Sequence, residues 1–551
     1  MYWWDHAAEI LAFKGSTLAR FGLVTTNSIT QDFSRRVIAR RMSGKPPISI
    51  VFAIPDHPWT KASAEAASVR IAMTVATGGE HEGILREVLH ESGLDTDKPE
   101  IELSSRTGII NSDLTIGANI TSAIRLRANA GLSSNGMLLA GRGFVLDRSE
   151  ATHLGLGTRE GLDDHVHPYI NGRELQHGWT GRLIIDLFGL ELDTVRTKYP
   201  EVYQHLIGTV KRERDAVAAK TPVRDAHEYA ARWWLFAKSR RDFRDAKSRL
   251  VRFIGTTETT KHRIFQFMPG DFINDHMVIG FAFDDAYYLG VLSSRIHVVW
   301  ALRAGGWLGV GNDPRYSKSK IFDPFPFPSP GALLKAKIRA DAEELDAFRK
   351  QRQKEHSTLT LTQMYNVMEK LKACAQFDEN DEAIKDNGLI LILKELHDKL
   401  DRLVSEAYGW PPTLSDEQII EKLVALNHER AAEEKRGHVR WLRPDYQMSR
   451  FGKDIDKMAA REEGAQIAAD LGLPVPSARK PSFPADVVAQ TAAVFGALAS
   501  ARGPINAESI AANFRKTRNL AQTILNVLES LLRLGHVSSK DGQSFEIRRV
   551  A

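Results

Sequence analysis

The spacing of apolar residues changes several times along the chain, and each change predicts a different element. Trp3, Trp4, Ala7, Ala8, Ile10, Leu11 and Phe13 repeat with helical period from the first residues, with no capping residue before them. Arg20 to Asn27 (RFGLVTTN) reads as a buried strand, and Thr30 to Met42 as a helix with a basic face of Arg35, Arg36, Arg40 and Arg41. Ile48 to Ile54 is a second strand, broken at Pro55-Asp56-His57-Pro58-Trp59, and Ser68 to Val75 is a third. Helix, strand, helix, strand, strand is the closing part of an open α/β sheet that ends in an antiparallel hairpin. By itself this piece lacks the strands it should pair with.

Farther along, short apolar runs alternate with glycine-rich turns. Gly136 to Leu146 reads as a hairpin arm and Arg182 to Asp186 as a strand. Helices are predicted over about 194–214, 226–236 and 291–302, with more β structure between Val251 and Ala282. The stiff Phe325-Pro326-Phe327-Pro328-Ser329-Pro330 closes this mixed α+β region. Beyond it, Leu389, Ile392, Leu393, Leu396, Leu400 and Leu403 lie on one helical face. Pro474 to Pro484 reads as a linker. Helices over 485–499, 506–514 and 519–534, then a hairpin from Val537 to Val550 turning at Asp541-Gly542, suggest a winged helix. The expected fold class is multidomain, α/β plus α+β. The expected domains are a sheet remnant (1–98), a mixed α+β domain (99–330), a helical domain (331–450), a linker (451–484) and a winged-helix-like domain (485–551).

Composition narrows the possibilities. A chain of 551 residues with 43% apolar and 26% charged residues is of ordinary globular make-up. No run approaches the roughly 18 apolar residues of a membrane span, and the start has no signal segment, so a cytoplasmic setting is expected. The single cysteine, Cys374, excludes a disulfide framework and cysteine-cluster metal sites, and reads as a buried small hydrophobe. His165 and His167 lie two apart in an expected loop without a convincing third ligand, so no metal is expected.

The net charge of +5 is small for this length, and local clustering matters more. Residues 211–263 hold 15 Lys and Arg against 7 Asp and Glu, an excess larger than that of the whole chain. Arg240, Arg241, Arg244, Lys247, Arg249 and Arg252 fall within 13 residues beside Trp233-Trp234. Such runs suit DNA phosphates, although a solvated helix face explains them equally well. Two polar loops hold residue types that read base edges: Thr257 to Arg263, with Lys261, His262 and Arg263, and Gly309 to Ser317, with Asn312, Arg315 and Tyr316. A simple turn is the competing reading of each. There is no G-x-S-x-G and no Walker loop. Arg515, Lys516 and Arg518 precede the third helix of the winged helix, where DNA and protein partners are equally open.

Several multi-residue motifs, in order, resemble the MmeI-like class I SAM-dependent DNA methyltransferases over about residues 1–450. They are Arg20 to Ile29, Val51 to Trp59, Val69 to Thr74, Pro168 to Leu175, Trp233 to Phe236, Thr259 to Arg263, Leu308 to Tyr316, Phe325 to Pro328, Leu426 to Arg430 and Val439 to Pro444. The resemblance implies an adenine N6 methyltransferase of restriction–modification or phage defence, using S-adenosyl-L-methionine (SAM) on double-stranded DNA. It implies that Asn27, Pro58 and Trp59 rim the pocket for a flipped base. It also implies that Asn171, Arg173 and the residues of the two loops contact DNA. The family's glycine-containing SAM loop and N-P-P-[FY] motif have no counterpart in this sequence. No catalytic residue can therefore be named, Met1 looks like an internal methionine of the family, and the chain alone is expected to be inactive. The alternative is a non-enzymatic DNA-binding specificity module that works with a separately encoded N-terminal methyltransferase half.

Overall fold

In the computed structural model the described residues are 1–59, 69–94, 96, 99–221, 223–308, 313–452, 483–484, 486–499, 504–514, 519–539 and 541–547. They form several small sheets and many helices, in two compact units, Met1–Ile455 and Asp456–Ala551.

The first unit opens with a five-stranded sheet ordered β1-β3-β2-β4-β5. Its strands are β1 (Arg20–Thr26), β2 (Ile48–Pro58), β3 (Arg70–Gly78), β4 (Gly83–Ser92) and β5 (Glu100–Gly108). β3 runs antiparallel between β1 and β2, and β4 joins β2 in parallel. Gly83 makes that parallel approach possible, because a Cβ there would lie 2.5 Å from the Ile50 carbonyl oxygen. The helices Tyr2–Ala12 and Asp32–Met42 cover the sheet through Trp4, Ala8, Leu11 and Ile38. The Trp4 indole donates to Thr74 Oγ1 at 3.3 Å. β4 and β5 were not read from the sequence, and the sheet runs past residue 98 to Gly108. Their alternation of single apolar with charged or polar residues (GILREVLHES, EIELSSRTG) marks half-exposed strands, which lack the apolar run of β2.

Two lobes follow. One is packed around Phe144, Leu146, Ile184, Val195, Leu206 and Val210, among others. It holds the sheet β12-β8-β9-β7: β7 (Val145–Leu146), β8 (Val166–Ile170), β9 (Leu183–Ile185) and β12 (Ile273–Asn274). The other holds β11-β10-β13-β6: β6 (Ser133–Asn135), β10 (Arg252–Thr257), β11 (Gln266–Pro269) and β13 (Val278–Phe281). Residues 136–146 are not a hairpin arm. They are mostly irregular backbone threaded against neighbours: a Cβ at Gly136 would lie 2.2 Å from the carbonyl oxygens of Asn274 and Asp275, and one at Gly143 2.0 Å from Thr209 Oγ1. The helix expected over 291–302 is two, Ala286–Ser293 and Arg295–Ala304. His165 ends a short 3-10 turn and His167 lies in β8, where a loop was expected.

The second lobe and the helices that follow share one core. Phe265, Phe281, Phe322 and Phe325 pack with Ile338, Leu345, Met364, Leu393, Leu400 and Leu423. The helices are Ala332–Glu355, Leu361–Lys372, Glu379–Gly388, Ile390–Tyr408 and Asp416–Lys435. Phe325 and Phe327 are buried, so the proline-rich segment is fastened into the core. The buried Asn427 amide donates to the carbonyls of Ile124 (2.8 Å) and Pro324 (2.6 Å) and accepts from Ile124 N. Arg443 donates to the carbonyls of Ala246 and Ala282. These motif residues work as backbone ties. Cys374 is exposed, against the expectation of burial, since it follows the end of the helix Leu361–Lys372 with a left-handed φ of 53°.

The second unit contains the helices Val487–Ala499, Ala507–Ala511 and Leu520–Arg533. Its short strands β16 (Ile505–Asn506), β17 (Val537–Ser538) and β18 (Ser544–Ile547) form one sheet ordered β16-β18-β17. Gly542 supplies the left-handed φ of 71° at the turn. Arg515, Lys516 and Arg518, and residues 453–482 of the expected linker, lie outside the described residues, while 451 and 452 continue a helix. Among the described residues no helix is long and apolar enough to cross a membrane.

Candidate nucleic-acid interface

Charge counts along a sequence do not distinguish inward from outward side chains, and the 211–263 segment contains both. Arg214 is buried and donates to five carbonyls, those of Leu139, Ala140, Tyr229, Arg232 and Leu235. Dehydration pushes it down to about 10. Arg244 pairs with the buried Asp186 and donates to Ser239 O at 2.7 Å. Lys247 is buried, donates to the carbonyls of Gly270 and Phe272, and is pushed down to about 8 by burial. Arg252 pairs with Glu343. These cations balance interior carbonyls and carboxylates, so the segment is not one phosphate-binding surface. Arg240 is half-buried with Nε on the Gly136 carbonyl at 3.1 Å, and Arg241 beside it is exposed. Both line a groove of about 330 Å³ with Phe188, Tyr229 and Arg232.

The first polar loop also turns inward. Arg263 is buried, and its guanidinium donates to Thr257 O, to Pro314 O at 3.0 Å and to Thr256 Oγ1 at 3.3 Å. Burial pushes it down to about 10. His262 is buried against Asn366 (2.7 Å) and Glu369 (3.2 Å), while Lys261 is exposed and donates to Asn366 Oδ1. Tyr316 is 1% exposed with its hydroxyl at His297 Nε2, 3.1 Å away. Arg263, His262 and Tyr316 therefore have no surface to offer DNA, and the expectation for them is corrected. Asn312 lies outside the described residues.

Arg315, in contrast, is held outward. It ends β15 (Asp313–Arg315), which pairs with β14 (Gly306–Leu308). Tyr316 N donates to Glu258 O at 2.7 Å, and Arg315 Nε donates to Glu258 Oε1 at 2.7 Å. Asn135, on β6, donates to Glu258 Oε2 at 3.3 Å and to His276 O at 3.2 Å. His276 leads into a groove of about 410 Å³ lined by Arg142, Tyr169, Asn171, Arg182 and Asp275. Asn171 caps the helix Gly172–His177, its Oδ1 accepting from Glu174 N, and Arg173 is exposed on that helix. Gln176 ties the helix to Thr257 and Thr260. Arg142, Asn171, Arg182 and His276 thus rim a groove whose floor is Leu138, Leu139 and Val145, and hydrogen bonds through Asn135 and Glu258 link its His276 end to Arg315. Sequence reasoning missed Arg142, Arg182, Asn135, Glu258 and His276, which are far apart in the chain and carry no local motif.

At the first sheet, the ends of β1 and β2 lie level, since Thr26 and His57 both face Ile71 on β3. Asn27 Nδ2 donates to Asp56 Oδ1 at 3.0 Å, and Asp56 pairs with Arg70 at 2.7 Å, which also pairs with Glu91. Pro58 is buried and Trp59 is 55% exposed. Asn27, Pro58 and Trp59 therefore share the carboxyl edge of the sheet. These residues do not by themselves fit SAM. The polar groups here are committed to one another, and no glycine-rich loop follows β1 or β2. On the same sheet, among the described residues, β1 pairs on one side only. Val24 on β1 is exposed (56%), as are Tyr2 (71%), Trp3 (72%) and Phe13 (72%) on and just after the first helix, which packs on β1 and β3.

Fold and surface together define a mixed α/β protein of several small sheets and many helices, with a groove rimmed by Arg142, Asn171, Arg182 and His276. Residues 125–329 match the family described as "MmeI, target recognition domain". DNA methyltransferase A of Bacillus subtilis (strain 168) is 23% identical over 421 residues, 76% of this chain and 42% of that protein. The Type IIL restriction-modification enzyme MmeI, solved in complex with DNA, has the same fold at 18% identity and a TM-score of 0.58, over 78% of this chain and 52% of that one. The chain spans about half the length of these relatives. The resemblance read from the motifs is thus to MmeI, through its target recognition domain, and weakly to a DNA methyltransferase.

Proposed function

We propose that this chain is the DNA-recognising part of a SAM-dependent DNA methyltransferase of restriction–modification type, acting on the N6 amino group of adenine. The observation that supports this reading is the groove rimmed by Arg142, Asn171, Arg182 and His276, with its hydrogen-bonded link to Arg315, within the segment matching the target recognition domain of MmeI. Arg142, Arg173 and Arg182 are exposed cations there and Arg241 is exposed at a second groove; these four would meet phosphates, while the amide and imidazole groups beside Arg142 and Arg182 would meet base edges. In this reading Asn27, Pro58 and Trp59 border the space that an extruded base enters.

The test is a titration of labelled duplex DNA at several salt concentrations. With about four phosphate contacts, log K should fall with log salt at a slope of roughly −3 to −4. No salt-dependent binding at low ionic strength would refute the reading.

A second reading, a specificity module that joins a separately supplied SAM-binding half, is favoured by the free edge of β1 and the exposed aromatic residues on and just after the first helix. Unpaired strand edges recruit further strands, and Tyr2, Trp3 and Phe13 would cover the joint. Val24→Lys with Trp3→Glu should then abolish capture of a polypeptide carrying the SAM loop and the N-P-P-[FY] motif, and leave binding of duplex DNA intact.

A further inference from the structure

We propose that Glu258 holds Arg315 and Asn135 as a single unit that reads one G·C base pair in the major groove; this rests on the DNA-recognition reading above. Glu258 is 7% exposed and spends both oxygens on neighbours: Oε1 accepts from Arg315 Nε at 2.7 Å and Oε2 from Asn135 Nδ2 at 3.3 Å. Arg315 is half-exposed, and among the described residues neither of its Nη atoms donates to a protein acceptor. The amide of Asn135 has only one workable orientation. Its nitrogen faces two acceptors, Glu258 Oε2 and the His276 carbonyl, so Oδ1 is left, among the described residues, without a protein donor.

One buried carboxylate thus presents a fork of donors beside a lone acceptor. In the major groove guanine shows two acceptors, N7 and O6, and its partner cytosine shows a donor, the N4 amino group. The fork matches guanine and the Asn135 oxygen matches cytosine. At an A·T pair the fork would meet the adenine N6 donor, and the acceptor would face thymine O4.

Arg263 belongs to this arrangement as a tie. By gripping Thr257 O and Pro314 O it fixes the backbone on either side of the unit, one residue from Glu258 and one from Arg315. Glu258 is accordingly a positioning residue. A glutamine there would turn an amine toward either Arg315 or Asn135, so one of the two would lose its acceptor.

The experiment is selection of bound duplexes from a randomised double-stranded library by the full 551-residue chain, wild type and variants, with thermal unfolding measured alongside. Wild type should enrich a motif with a G·C pair at one position. Arg315→Ala and Arg315→Lys should both lose preference at that pair alone, on the order of 5- to 150-fold, and Arg315→Lys should keep the wild-type salt slope. Glu258→Gln should relax the same pair, and Asn135→Ala should do so more weakly. If Glu258→Gln unfolds early, the exposed Arg315 and Asn135 variants carry the test. An unchanged motif in Arg315→Ala, a uniform loss across all positions, or a change at an A·T pair would each overturn the proposal. If wild type enriches no motif, the DNA-recognition reading fails and this proposal falls with it; an intact wild-type motif with indifferent variants sinks the proposal alone.

Discussion

Replacing Arg263 by methionine separates a buried tie from a base-reading arginine. The substitution keeps the aliphatic stem and removes the guanidinium. The interior carbonyl Thr257 O loses its donor, Pro314 O keeps only Thr260 N at 3.3 Å, and Thr256 Oγ1 loses a weaker contact. Each dehydrated, unpaired carbonyl costs about 1–3 kcal/mol. The contact with the Tyr316 ring, 5.1 Å from the guanidinium, is also lost. Part of this is offset because the charge no longer has to be buried, the same dehydration that pushes Arg263 down to about 10. The net destabilisation should be about 1–3 kcal/mol. In the unit Met1–Ile455, with an unfolding entropy of about 2.1 cal/mol/K per residue, that lowers Tm by roughly 1–3 °C. The assay is thermal unfolding followed by tryptophan fluorescence, with duplex binding measured well below Tm. An unchanged Tm together with loss of preference at a single base pair would mean that Arg263 reaches DNA, and would refute its placement as a tie.

Four further outcomes are expected. Arg142→Glu with Arg182→Glu should flatten the salt dependence of DNA binding by about two in slope, with little change in Tm, by salt titration of a duplex. Arg244→Glu should instead lower Tm, because the new carboxylate would face the buried Asp186; unchanged unfolding would count against the interior pair. Burial pushes His297 and His397 down to about 3 from the usual 6.5, so below pH 6.5 the unfolded chain takes up protons that the folded chain refuses. Their stabilising contribution is complete above pH 6.5 and is lost as pH falls toward 3, and His397→Gln should flatten that limb in urea midpoints measured from pH 4 to 8. Labelled methyl transfer from SAM to duplex DNA should be undetectable with this chain alone and appear when a polypeptide bearing the SAM loop and N-P-P-[FY] motif is added; robust transfer by the chain alone would falsify this.

The elements that could be read from the sequence were those with one dominant period. β1, β2 and the long helices have it, and so do the three helices and the Asp541-Gly542 turn of the second unit. β4 and β5 escaped because their outward faces are charged and polar, and the alternation resembles a surface loop. The 136–146 run misled for the opposite reason: its glycines permit close backbone packing and do not mark hairpin turns. At the candidate site, Arg315 was visible as a polar residue in a loop, and Asn171 only through the family resemblance of Pro168 to Leu175. Glu258 and Asn135 were not, because they are 123 residues apart and meet only after β6 and the end of β10 are brought together by β13. Arginine was the least legible residue type. Nothing in the sequence distinguishes Arg214, which collects five carbonyls indoors, from Arg212, which is exposed two residues earlier.

The core that runs from Phe265 through Phe325 into Ile338, Leu393 and Leu423 bears on how such proteins could be rebuilt. A graft of the recognition region cut at residue 330 would split one hydrophobic interior and leave two insoluble halves. A graft ending beyond Gln447, which still ties the carbonyls of Ala128 and Ala130, would move the frame whole. Within that frame Arg315 and Asn135 stand at strand tips, outside the shared interior. Exchanging those tips changes what is presented to solvent, and the replacements must still give the buried Glu258 carboxylate its donors. The chain is in this sense a rigid handle with replaceable type, and new specificities would be sought at the type.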